Sequence, residues 1–273
     1  NNAGVRCVNF HFMGKIVPVI VDTKIPFRGS SESSNPYACM PVNRDAQWWA
    51  PIVEKAYAKY YGSYQAIDGG NSHVALYRMI GGFPIRYDMQ DMKTKEMVQN
   101  GTMWKMLLKW YQEGNFLCTG SNAGSDTDTN PQGIVYGHAY TILQVVEIFG
   151  NKLIQLRNPW GNGEWTGDWS DKSPKWTQKL KSALNFQDEE DGIFWMCFND
   201  FVNNYRSIYA SINIDNKYHY TLDGVFNPDE NDGASPFSNG ETDATHLVQY
   251  VIRSKSTDMQ PTLYGILEKT GGS

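Results

Sequence analysis

Gly137-His138-Ala139-Tyr140 and Arg157-Asn158-Pro159-Trp160-Gly161 stand at the two ends of one β-hairpin pattern, and the rest of the chain is read outward from it. Tyr140 to Glu147 is rich in β-branched and aliphatic residues, and Lys152 to Leu156 is a second, shorter run of the same texture. Between them lie Gly150 and Asn151, residue types that tolerate the positive φ of a tight hairpin turn. Folding the chain back there brings His138 and Asn158 to the same open end. An Asn side-chain oxygen accepts from one imidazole N–H and turns the other ring nitrogen toward a nucleophile, the base-and-orienter pairing that activates a thiol. Trp160, two residues on, is placed to shield that hydrogen bond from water.

Composition narrows the class. Hydrophobic residues make up 41% of the 273, enough to bury a substantial core and to exclude a disordered chain. The net charge of −5, with no basic stripe, argues against a nucleic-acid partner. No apolar run reaches the ~20 residues that a membrane-spanning helix needs. The four cysteines, Cys7, Cys39, Cys118 and Cys197, are irregularly spaced and contain no CxxC pair, which speaks against a zinc site or a disulfide scaffold. Cys7 and Cys197 alternate with apolar neighbours and read as buried thiols on strands. A reducing, cytoplasmic setting is the expectation. The chain opens on Asn1-Asn2 and closes on Thr270-Gly271-Gly272-Ser273, which suggests a segment of a longer polypeptide.

Val5 to Phe12 and Ile16 to Val21 form a candidate hairpin around Gly14, followed by a polar loop to Asn43. Trp48, Trp49, Ile52, Val53, Ala56, Tyr57 and Tyr60 recur at helical spacing, with Asp45 as N-cap and Gly62 as stop. That aromatic stripe reads as core. A second helix spans Thr102 to Glu113, ended by Gly114, and Phe116 to Cys118 is a short strand. Gly120 to Gly133 is a polar loop leading into His138. A strand at Ile193 to Phe198 and a short helix at Phe201 to Tyr205 close this part. The other histidines, His11, His73, His219 and His246, have no second ligand at metal spacing.

The wording of these motifs resembles the calpain family of papain-like cysteine proteases. The likeness rests on GHAY, on LRNPWG, on Glu164-Trp165-Thr166-Gly167-Asp168-Trp169 and on Glu54-Lys55-Ala56-Tyr57-Ala58-Lys59. The Gly69-Gly70 and Gly81-Gly82 pairs and Asp191-Gly192-Ile193-Phe194-Trp195-Met196 extend it, from about Val5 to about Ser211. The resemblance implies an α+β fold: residues 1–214 as a papain-like protease core whose His/Asn half is an antiparallel sheet with helices, and residues 215–273 as the start of a β sandwich. It implies that His138 is the general base, Asn158 its orienter, and Trp160 the tryptophan at the cleft. For calcium, it places Glu164, Asp171 and Asp191 as carboxylate ligands and Glu189 as a carbonyl ligand. Ile193 stands where the family has an acid, and Gln47 where the other half-site has its Glu, so the expected calcium site is weakened.

The family's nucleophile sits in a Gly-x-Cys-Trp setting, preceded by a Gln, and no cysteine here matches it. The resemblance therefore leaves two readings. One is part of an intracellular endopeptidase, acting on protein substrates and supplying base and orienter only. The other is a non-catalytic scaffold that uses the same fold to bind protein partners, for example at the cytoskeleton.

Overall fold

The computed structural model describes residues 4–12, 14–27, 39 and 48–214. Asp45, Gln47 and the sandwich strands expected from residue 215 lie outside the described residues. The elements run β1 (Val5–Phe12), β2 (Lys15–Asp22), α1 (Trp49–Tyr61), α2 (Ser72–Ile80), β3 (Phe83–Asp88), α3 (Met92–Gln99), α4 (Thr102–Gln112) and β4 (Phe116–Ser121). Then follow β5 (Ala139–Ile148), β6 (Asn151–Arg157), α5 (Gln178–Leu184), β7 (Ile193–Cys197), α6 (Phe198–Asn204) and β8 (Tyr205–Ile212). The fold is mixed α+β. Among the described residues, no helix is long and apolar enough to cross a membrane.

β1 and β2 form an antiparallel ribbon with α1 against one face. Phe10 is fully buried there with Val19, Val21 and Ala56, and Tyr57 and Tyr60 pack around its ring. Because only one face is covered, the period-2 alternation of a strand decides each residue's fate. Val8 and Phe10 face the helix, while Cys7 points outward and is exposed. The expectation of a buried Cys7 therefore fails, and the aromatic stripe of α1 is only partly core. Trp48 and Trp49 stand at the start of the helix with Trp49 66% exposed, beyond the reach of the ribbon.

The main sheet is antiparallel, in the order β3-β8-β4-β5-β6-β7. Its principal core lies under α4, whose Met103, Trp104, Leu107 and Trp110 are buried against Ile142, Leu156, Phe194, Met196 and Ile208. Alternation sends Leu153 and Trp195 to the opposite face. There Trp169, Trp176, Leu180 and Leu184 close over them. β6 and β7 are thus sandwiched, which is why Phe194, Trp195 and Met196 are buried in succession.

The central hairpin turns one residue earlier than the glycine pattern suggests. Ile148 pairs with Asn151, so Phe149 and Gly150 are the two turn residues, with φ of 47° and 78°. Positive φ at both positions is the primed turn that matches strand twist. Asn151 is instead the first residue of β6. A bulge between Ile142 and Gln144 shifts the alternation, so that Tyr140, Ile142 and then Val145 all reach the same core. The sequence pattern does not announce β3, β8, which lies between β3 and β4 in the sheet, or helices α2, α3 and α5. The short helix expected at Phe201 begins three residues earlier, at Phe198.

Candidate active site

The register that pairs Thr141 with Arg157 carries the strand ends to His138 on one side and Asn158 on the other. The His138 backbone is pinned by β4: its N–H donates to Ser121 Oγ at 2.9 Å, and its carbonyl accepts from the Ser121 N–H at 2.9 Å and from Ser121 Oγ at 3.1 Å. Gly137, just before it, has φ of 58° and approaches the Gly124 carbonyl so closely that an added Cβ would lie 2.4 Å from that oxygen. A residue other than glycine is strained there on both counts. Ser121 is a site residue that the sequence did not reveal, because nothing in a Gly-Ser strand end marks it.

Across the hairpin, His138 Nε2 lies 2.9 Å from Asn158 Oδ1. The amide cannot be turned round. Its Oδ1 also accepts from the Trp160 backbone N–H at 3.1 Å, and its Nδ2 donates to the Gly163 carbonyl at 3.1 Å. Exchanging O and N would set donor against donor and acceptor against acceptor. Since Oδ1 accepts only, Nε2 must carry the proton. Nδ1 is then left with a lone pair and, among the described residues, no hydrogen-bond partner. Asn158 is completely buried, so no water competes for this set. The Trp160 ring lies 4.4 Å from the imidazole, tilted by 42°, and is itself 50% exposed. Tyr140 meets the same imidazole edge-on at 5.1 Å.

A model of the calpain family cysteine proteases matches residues 1–211. The chain belongs to the calpain family. It is 43% identical over 212 residues to the calpain-type cysteine protease DEK1 of Zea mays, covering 77% of this chain and 10% of that protein. To its Arabidopsis thaliana counterpart it is 35% identical over 274 residues, covering 100% of this chain and 12% of the other. It is also 35% identical to calpain-5 of Mus musculus, covering 76% and 34% respectively. The chain thus spans about a tenth of the length of the plant calpains it matches and a third of the mouse one.

All four cysteines fall among the described residues. Burial pushes the Cys118 thiol up to about 11, partly offset by the Ser72 hydroxyl. Burial also raises Cys197, and burial with the charge of Glu54 raises Cys39. These thiols keep their protons at neutral pH, the reverse of an activated nucleophile.

The residues expected at the calpain calcium site gather in one region without forming a cage. Glu164 Oε1 accepts from the backbone N–H groups of Asp191 and Gly192 at 3.1 and 2.8 Å, and Asp191 Oδ1 accepts from Ile193 N–H at 2.8 Å. Both Asp171 oxygens are buried without a full hydrogen bond, although the Glu189 backbone offers partial relief. Burial first, then the charges of Glu164 and Asp188, push Asp171 up to about 6. Burial likewise raises Glu164, against the pull of the Gly192 and Asp191 amides. A hard dication needs six or more oxygens turned to one point. Here one oxygen of Glu164 and one of Asp191 are turned to backbone amides, and no three acidic, His or Cys side chains among the described residues could jointly hold a metal. As arranged, the set does not fit calcium.

Proposed function

We propose that this chain supplies the base and its orienter to a thiol endopeptidase of the calpain type. The observation that carries the reading is the clamped Asn158 amide, which dictates the Nε2–H tautomer of His138 and leaves Nδ1 as the acceptor. In the proposed chemistry Nδ1 takes the thiol proton, and the thiolate adds to the scissile carbonyl carbon. The imidazolium then returns that proton to the leaving amine nitrogen as the C–N bond breaks. Asn158 holds the ring in plane and accepts from Nε2–H throughout, while Trp160 shields one side of the pair. Substrates are polypeptides of a reducing compartment, the setting in which the thiols of Cys7, Cys118 and Cys197 stay reduced. No step runs through calcium.

One observation favours a second reading. No thiol among the described residues lies within hydrogen-bond reach of Nδ1, so this chain by itself has nothing for the base to activate. A non-cleaving scaffold built on the same fold has the same property. Long-range ¹H–¹⁵N spectra of the chain test the base directly: the expected result is His138 protonated at Nε2, and an Nδ1–H tautomer would refute the assignment. The isolated chain should neither cleave protein substrates nor react with a peptidyl epoxide. Labelling of Cys7, Cys39, Cys118 or Cys197 would overturn that. In the complete polypeptide, epoxide labelling that disappears in His138→Ala separates the protease from the scaffold.

A further inference from the structure

A cavity of about 310 Å³ opens beside His138, and its charge is unlike that of the molecule as a whole. The chain carries a net −5, yet the charged side chains lining this cavity are Arg86 and Arg206. They come from neighbouring strands: Arg86 from β3 and Arg206 from the start of β8. Ser72 at the start of α2 and Ser121 and Ser207 add hydroxyls to the wall. Among the described residues, no carboxylate lines it.

The nearest neutralising group is Asp88, which is shared. Its Oδ2 meets Arg86 Nη2 at 3.3 Å and Arg206 Nε at 3.4 Å, while its Oδ1 accepts from Gln90 N–H at 2.9 Å. One carboxylate therefore offsets two guanidinium groups, leaving a net +1 before His138 is counted. Each arginine engages Asp88 through a single nitrogen, and their side chains are 42% and 45% exposed. A guanidinium has five N–H donors in a planar fork, so both retain donors for a second carboxylate. Asp88 fixes where the guanidinium groups lie, which limits the ordering needed when a ligand arrives. Nearby His73, stacked on Tyr209 at 5.4 Å, feels the same field: burial and then the charge of Arg86 disfavour its protonation.

We propose that this cavity is a specificity pocket for an acidic side chain, Glu or Asp, of the polypeptide substrate, selected by Arg86 and Arg206. The proposal rests on the reading of His138 as the base, since the shared wall sets the pocket next to the scissile bond. A neutral side chain of the same size would displace water from the guanidinium donors that Asp88 leaves unused and bring no charge to meet them, and the pocket discriminates by that difference.

The test is an NMR titration of the 273-residue chain with capped peptides in which a Glu is scanned through successive positions, each paired with its Gln counterpart. The Nε–H signals of Arg86 and Arg206 and the ring signals of His138 are the local readouts. The expected result is one register in which the Glu peptide binds about tenfold tighter than the Gln peptide, as a charge-assisted hydrogen bond predicts. That preference should shrink with added salt and be lost in Arg206→Gln and Arg86→Gln. Glu and Gln peptides that bind alike while shifting His138 would overturn the pocket and leave the base assignment standing. Peptides that shift neither His138 nor the arginines in any register would overturn the pocket, while the base assignment stands or falls on the His138 tautomer. The wild-type comparison needs no variant, so a misfolded substitution cannot rescue the idea.

Discussion

Asp171→Asn is the substitution whose outcome the structure determines most closely. Folding moves the Asp171 carboxyl from an ordinary value of 3.8 to about 6, because it is buried and faces Glu164 and Asp188. The sign follows directly. Below pH ~4 the group is protonated in both folded and unfolded chains and contributes nothing. As pH rises toward 6 the unfolded chain releases the proton while the folded chain keeps it, so stability falls across that window and stays reduced above it. Two pH units correspond to about 3 kcal/mol, and the incomplete burial of the residue brings this to about 1–2 kcal/mol. Asn keeps the shape, removes the charge and offers two donors to the neighbouring carboxylates. Thermal denaturation monitored by circular dichroism, with a chelator present, should show Asp171→Asn raising Tm by about 3–6 °C at neutral pH and by nothing near pH 4. A fall in Tm at neutral pH would refute the reasoning. It would mean that the charged carboxylate has a partner that outweighs its desolvation.

Calorimetric titration of the chain with calcium should show no binding at micromolar metal, because Glu164 and Asp191 are already engaged by backbone amides. Tight binding abolished by Glu164→Ala would show that these carboxylates rotate to meet the ion. Gly137→Ala should cost about 1–3 kcal/mol, since it combines an unfavourable φ with a close approach to the Gly124 carbonyl. It should also broaden or erase the His138 Nε2–H resonance by pushing the ring away from Asn158, and an unchanged resonance would show that the backbone there yields easily.

Local patterns determined much of this protein. Two β runs around a glycine specify a hairpin, and a hairpin with His138 at one end and Asn158 at the other can hardly avoid placing them together. The 3.6-residue spacing of Met103, Trp104 and Leu107 specifies α4 and its buried face in the same way, and the motif wording was enough to identify the family. What lay beyond the sequence depended on neighbours distant along the chain. Whether Cys7 is buried depends on which face of the ribbon α1 covers, and whether Trp49 is buried depends on how far the ribbon reaches along the helix. β8 escapes the sequence pattern because YRSIYASI mixes polar and apolar residues and becomes a strand by filling the gap between β3 and β4. The orientation of Asn158 is settled by the Gly163 carbonyl and the Trp160 amide, backbone groups that every sequence has. Arg86 and Arg206, 120 positions apart, share one carboxylate only because their strands are adjacent. Periodicity fixes which side of an element a residue occupies, but charge, hydrogen-bond partners and burial belong to what the tertiary fold packs against that side.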